Sequence, residues 1–298
     1  MNKLILHSYA KVNLYLKIIG KRKDGFHSLQ TIFERIDLAD TIILSSSPKK
    51  KISLRCNISA LPVDSANLAF RSAQLLQEAF AVRKGVDIEL IKHIPIGAGL
   101  GGGSSNAAAV LWGLNKLWKL RLSLEKLLLF GKRIGSDVAF FLHNCSFALG
   151  EGRGDRIKPL HLQQLKPLWK ILVVPKIEVR TPQVYKEWDV SREKNKSLGL
   201  TIPKYNVNII ISALKNRDLA RLGQGLFNSL ERITLRLYPQ VGLIKERLSD
   251  LGVKSILMSG SGPAVYGMVS SKKEAVSLCR QLARVYHPNW QIFATRTI

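Results

Sequence analysis

Five of the seven residues from Gly97 to Gly103 are glycine, within the run Pro95-Ile96-Gly97-Ala98-Gly99-Leu100-Gly101-Gly102-Gly103-Ser104-Ser105. Glycine reaches positive φ without penalty and lets a backbone come close to a ligand. The run abuts apolar Ala107 to Leu111, which predicts a helix from about Ser105 to Trp118. Free N–H groups at a helix start, with the positive end of the helix dipole, form an anion site. Ser104 and Ser105 add hydroxyl donors, so the chemistry expected is phosphate binding. No lysine follows the glycines, which excludes a Walker loop. Gly97, Gly99 and Gly102 satisfy the dinucleotide G-x-G-x-x-G spacing, with Glu125 near the downstream acidic position. That match is weak, because the loop lies far into the chain, after antiparallel-looking strands, with no repeated βαβ unit around it.

Asp137 carries a second possible chemistry. A carboxylate within reach of a hydroxyl can take its proton as the hydroxyl attacks a phosphoryl group. Gly135-Ser136-Asp137 also precedes apolar Val138 to Leu142, the pattern of a helix N-cap, and the residues alone leave both readings open. Lys11, taken alone, reads as a surface lysine on an edge strand.

These residues need elements to hold them. Val12, Leu14, Leu16 and Ile18 alternate as a strand, as do Ile42 with Leu44, Ile52 with Leu54, and Val86, Ile88 and Leu90. Helical spacing covers Asn67 to Phe80, with Asp64 and Ser65 as candidate caps, and a helix is expected after Ser123. The second half opens with strand Ile171–Val174. Helical patterns follow near Asn206–Leu214, Gly225–Leu237 and Pro239–Leu251. Then come Ile256-Leu257, a second glycine-rich turn, Val265–Val269, a helix from Lys272 to Val285 and a strand near Gln291–Ala294. This order predicts an α+β protein divided near residues 152–165, into units 1–155 and 156–298.

Composition narrows the classes. The 298 residues are 46% hydrophobic and 22% charged, globular values that argue against disorder. No apolar run approaches the roughly 20 residues of a membrane span, and the start is too short and polar for a signal peptide. Cys56, Cys145 and Cys279 are odd in number and lack metal-ligand spacing, as expected of reduced thiols in a cytoplasmic protein. The net charge of +25 attracts anions of every kind. Its densest clusters, Lys21–Lys23, Lys49–Lys51 and Arg192–Lys196, lie in loop-like sequence without interleaved aromatics. No nucleic-acid module is recognisable, so no specific nucleic-acid partner is expected.

The phosphate run, together with Ala10-Lys11-Val12-Asn13-Leu14 near the start and Ser259-Gly260-Ser261-Gly262-Pro263-Ala264-Val265 near the end, resembles the GHMP kinase superfamily over essentially the whole chain. Asp24-Gly25-Phe26-His27-Ser28-Leu29-Gln30-Thr31, Gly135–Phe141 and the Gly150–Asp155 turn resemble the branch acting on a cytidine-diphosphate-linked polyol in the non-mevalonate route to isoprenoid precursors. The resemblance implies a two-domain fold with its site in the inter-domain cleft. It also implies ATP bound by Pro95–Ser105, with Asn67 at the adenine, and Mg²⁺ with Ser105 as a ligand. Asp137 would be the base and Lys11 its cationic partner. Phe26 and Tyr185 would sandwich a cytosine that His27 reads, and Asn13 and Thr181 would touch the polyol or a phosphate. Phe26 stands where tyrosine is commoner, Tyr9 where proline is, Ser136 where alanine is, and Ala264 where threonine is.

The expected protein is therefore a small-molecule kinase, a monomer or weak homodimer. Its alternatives are another kinase of the superfamily, such as a homoserine kinase, or a nucleotide-regulated RNA-binding protein. A dinucleotide-dependent oxidoreductase is more distant.

Overall fold

The fold is described for residues 3–162, 166–197, 206–285 and 289–298 of a computed structural model. Residues 163–165, inside the expected boundary segment, and the side chains of Lys194, Asn195 and Lys196 lie outside that description. Strands β1 (Lys3–Lys21) and β2 (His27–Ser47) form one long antiparallel pair, from Lys3 opposite Ser45 to Lys21 opposite His27. Along the other edge of β2, β4 (Gly85–Ile91) pairs with its C-terminal end and carries β3 (Ile52–Cys56) outside it, and β5 (Phe147–Gly152) pairs with its N-terminal end and carries β6 (Arg156–Pro159). The expected division at 155/156 thus falls inside the β5–β6 hairpin. A second sheet contains β7 (Trp169–Pro175), and two-residue β8 (Phe227–Asn228) returns to pair with β1 in parallel. Strands β9 (Ser255–Met258), β10 (Val265–Val269) and β11 (Trp290–Arg296) complete the second sheet in the order β11-β7-β10-β9, all antiparallel.

Helices α1 (Leu68–Ala79), α2 (Gly102–Leu117), α3 (Leu124–Ile134) and α4 (Val138–Leu142) cover one face of the first sheet. Ala107, Leu111 and Leu114 of α2 pack there against Ile42, Leu44, Ile88 and Leu90. The opposite face of β1 and β2 meets β7 and β10 through Val12, Leu14, Ile32, Leu172 and Tyr266. With both faces covered, every residue from Ala10 to Leu16 is buried, and the strand loses the in-and-out pattern of a half-exposed one. Each such aliphatic side chain contributes about 1.5–3 kcal/mol on burial. The C-terminal helices are α5 (Thr181–Ser197), α6 (Val207–Asn216), α7 (Leu219–Gly225), α8 (Glu231–Leu237), α9 (Pro239–Asp250) and α10 (Lys272–Val285). Ile171, Val173 and Val265 turn the other way in the second sheet, toward Ile244, Leu248, Leu278 and Leu282 of α9 and α10.

Four local expectations change. Asn67, rather than Asp64 or Ser65, caps α1, its side chain accepting from the Ala69 N–H at 3.0 Å. Gly225–Leu237 is not one helix. Asn228 donates to the carbonyls of Met258 (2.8 Å) and Gly260 (2.7 Å) and accepts from the Leu230 N–H, which holds the backbone extended at β8. The basic stretch 192–196 lies within α5, not in a loop. Finally, α2 begins at Gly102, three residues earlier than its apolar spacing indicates. Ser123 caps α3 as expected, accepting from the Lys126 N–H.

Candidate active site

The glycine run divides into two physical parts. Gly97, Gly99 and Gly101 all have positive φ, and Gly102 and Gly103 are already the first turn of α2. A β-carbon on Gly99 would meet the Ser259 carbonyl oxygen at 2.3 Å, and one on Gly101 would meet Lys11 and Phe141 at 3.0 Å. The second glycine turn clamps this loop from outside, with the Ser259 hydroxyl donating to the Gly99 carbonyl (3.1 Å) and the Ala264 N–H to that of Ala98 (3.2 Å). Helix α2 has no acidic residue in its first turn, so its unpaired N–H groups meet no internal competitor for an anion.

Two cavities meet at this loop. One, of about 550 Å³, is lined by Pro95 through Ser104 and by Asn67 and Lys92. The other, of about 580 Å³, is lined by Lys11, Asn13, Phe26, His27, Asp137 and Tyr185 among others. Gly99, Gly101 and Thr181 belong to both. Ser105 lines neither and is buried under the first turn, whereas Ser104 faces the first cavity. Asn67 reaches that cavity with its amide already committed to the α1 cap and to the Pro62 carbonyl at 2.9 Å.

Lys11 is neither on an edge strand nor on the surface: β1 lies between β2 and β8, and the residue is 4% exposed. Its ammonium donates to Asn13 Oδ1 at 2.7 Å and lies 3.5 Å from Asp137 Oδ2 and 5.5 Å from the centre of the Phe33 ring. Asn13 donates to Thr31 Oγ1 (2.7 Å), which donates to the Tyr15 carbonyl (2.6 Å), so the chain of donors fixes each rotamer. Asp137 occupies the position before α4 but makes no capping hydrogen bond, which leaves its carboxylate to Lys11 and the cavity. A carboxylate so placed can accept a proton from a hydroxyl brought within hydrogen-bond reach.

The far end of the second cavity is aromatic. Phe26 is 52% exposed in the β1–β2 turn, with the Arg153 guanidinium 4.9 Å from its ring centre. Tyr185 rests on His27 with ring centres 4.9 Å apart, and burial followed by the charge of Asp137 pushes its hydroxyl above the ordinary range. His27 Nε2 lies 2.7 Å from Asp189 Oδ1, and Lys21 donates to Asp189 Oδ2 at 2.7 Å. Burial opposes ionisation of Asp189, but the hydrogen bonds from Lys21 and His27 outweigh it and hold the carboxyl below its usual range. Thr181 Oγ1 lies 2.7 Å from Ser261 Oγ, so α5 and the second glycine turn meet at the cavity junction.

Several participants escape sequence reasoning. Asp189 and Trp188 follow Tyr185 at helical spacing, but α5 itself was not expected. Lys92, lining the first cavity, is held by an ion pair to Asp40 and by Asn106 Oδ1 at 3.2 Å. Nothing in the local sequence joins Asp40 to Lys92. Among the described residues no group of three or more histidine, cysteine or acidic side chains could hold a metal, and no helix is long and apolar enough to cross a membrane. Cys56, Cys145 and Cys279 are unpaired thiols.

Residues 67–145 match the N-terminal domain of the GHMP kinases and residues 210–288 the C-terminal domain. The chain belongs to the GHMP kinase family. It is 39% identical over 289 residues to the 4-diphosphocytidyl-2-C-methyl-D-erythritol kinase of Bacillus pumilus, covering 97% of this chain and 95% of that one. A kinase of the same name from Gloeobacter violaceus is 38% identical over 298 residues, with 100% and 95% covered. A crystal structure of 4-(cytidine 5'-diphospho)-2C-methyl-D-erythritol kinase superposes with a TM-score of 0.81 at 32% identity, covering 99% of this chain and 100% of that one. Homoserine kinase from Cytophaga hutchinsonii shares the fold, with a TM-score of 0.71 at 19% identity, covering 100% and 95%.

Proposed function

We propose that this chain transfers the γ-phosphate of ATP to the 2-hydroxyl of 4-diphosphocytidyl-2-C-methyl-D-erythritol. The observation that carries this reading is the meeting of two cavities at Gly99 and Gly101, with Lys11 and Asp137 on the acceptor side of the junction. ATP lies with its phosphates on the N–H groups of the loop and the first turn of α2. The acceptor hydroxyl is presented to the γ-phosphate beside Asp137, which takes its proton as the new P–O bond forms. Lys11, 3.5 Å from Asp137, offsets charge on the transferring group. The cytosine lies among Phe26, His27 and Tyr185, at the opposite end from the reacting hydroxyl. The phosphoryl group passes directly between substrates, with no phosphoenzyme.

The donor set would suit a Mg²⁺ ion held mainly by phosphate oxygens and water, since Ser104 faces the loop cavity and no carboxylate cluster lies there among the described residues. Mg²⁺ bound with the nucleotide supplies neutralisation of adjoining phosphate charge. The test is ADP release with Mg-ATP and each of the cytidyl polyol, homoserine, mevalonate, galactose and RNA. Turnover with the cytidyl polyol alone supports the reading. Turnover with another alcohol keeps a kinase but discards the cytosine site, and RNA binding without turnover overturns both.

A further inference from the structure

We infer that Asp189 is a positioning residue that fixes the tautomer of His27 and thereby makes the base site select a 4-amino-pyrimidine over a 4-oxo-pyrimidine. The inference rests on the proposed cytidyl substrate and concerns a residue outside the motifs that suggested it. Asp189 lies on α5, four residues after Tyr185 and one after Trp188, and these three surround His27. Tyr185 rests on the imidazole, and Trp188 meets it at 90° with ring centres 5.8 Å apart, so the ring has little freedom to turn over. An ionised carboxylate only accepts hydrogen bonds. At 2.7 Å from Asp189 Oδ1, His27 Nε2 therefore carries the proton. Lys21 holds the other carboxylate oxygen at 2.7 Å and offsets its charge.

Nδ1 is thereby left as a lone-pair acceptor, and it makes no hydrogen bond to the described residues although His27 lines the cavity. An acceptor here pairs with the exocyclic amine of cytosine and opposes the carbonyl at the same position of uracil. Sites that hydrogen-bond a polar group discriminate strongly against an analogue that leaves it unpaired.

Asp189→Asn inverts the arrangement. The Lys21 ammonium can only donate, so the amide oxygen turns to Lys21 and the amide N–H₂ faces His27. Nε2 must then accept, and the proton moves to Nδ1. The experiment compares kcat/KM for the cytidyl substrate and its uridyl analogue in wild type and Asp189→Asn, with imidazole ¹⁵N spectra of both. The cytidyl-to-uridyl preference falls about tenfold or more, through KM for the cytidyl substrate rather than KM for ATP. The His27 proton moves from Nε2 to Nδ1. An unchanged preference in a folded variant overturns the inference, as does a wild-type His27 protonated on Nδ1 or on both nitrogens. If the variant does not fold, the wild-type spectrum decides alone. A wild type inactive on every acceptor sinks the kinase reading instead, and the spectrum still reports the pairing of Asp189 with His27.

Discussion

Lys11 and Asp137 differ in what the fold asks of them. Asp137 has a 31% exposed side chain and caps no helix, so Asp137→Asn should change stability by less than about 1 kcal/mol. If it is the base, turnover falls about 10²- to 10⁴-fold. Lys11 is buried and donates to Asn13, so Lys11→Met leaves Asn13 Oδ1 short of a donor and costs about 1–3 kcal/mol. The variant should still fold, with turnover reduced by a similar factor. Urea denaturation beside steady-state ADP release separates the two effects, and near-wild-type turnover in either folded variant removes that residue from the mechanism. The motif around Lys11 was readable, but its burial was not. Leu100, whose carbonyl accepts the Lys11 N–H, and Asp137 arrive from far along the chain.

The glycine loop and the start of α2 work as one element, and their substitutions should be unequal. Gly97 has φ +66° with open space around a β-carbon, so Gly97→Ala carries only the left-handed backbone cost of about 1–2 kcal/mol. Gly99, at φ +75°, adds a collision with the Ser259 carbonyl and the loss of the clamp. Gly99→Ala should therefore lower the urea midpoint further than Gly97→Ala and raise KM for ATP. Equal effects would mean that the second glycine turn does not hold the loop. The glycine loop itself was legible because glycine at this density before an apolar helix has few other uses. The helix start was not legible: Gly102 and Gly103 are poor helix formers, and packing under Leu68 and Ile94 overrides that preference. Helix α5 escaped for a different reason. Its sequence is strongly polar, and among its described side chains only Val184 and Trp188 are buried, so periodicity had little to report.

Across the whole molecule, the two sheets are joined by a fully buried ion pair between Lys170 of β7 and Glu34 of β2, at 2.5 Å, which also takes in Thr297 near the C-terminus. Burial pushes the Lys170 ammonium below its usual range, and the neighbouring Glu34 carboxylate pulls it back. Lys170→Met strands Glu34 as a buried, unpaired acid and should cost about 3–5 kcal/mol. Lys170→Met with Glu34→Leu should recover most of that loss, read by urea denaturation, because the pair contributes little net stability beyond an apolar contact. A double variant as unstable as the single one would contradict this account of the join. The chain could be read as α+β from sequence, whereas the links between its two sheets could not. Strand β6 falls with the first sheet, β8 returns to it from the C-terminal part, and Ile36 pairs with Thr297. Composition marks none of these crossings, since each depends on a partner remote in sequence.

The central claim is that a hydroxyl of the cytidyl polyol meets the γ-phosphate where the two cavities join. The most direct measurement is ³¹P and ¹³C NMR of the product made by purified protein from Mg-ATP and polyol-labelled 4-diphosphocytidyl-2-C-methyl-D-erythritol. The account predicts one new phosphate ester per ADP, coupled to the carbon that bears the 2-hydroxyl. ADP formed with free phosphate and no ester, or an ester on another hydroxyl, would contradict it.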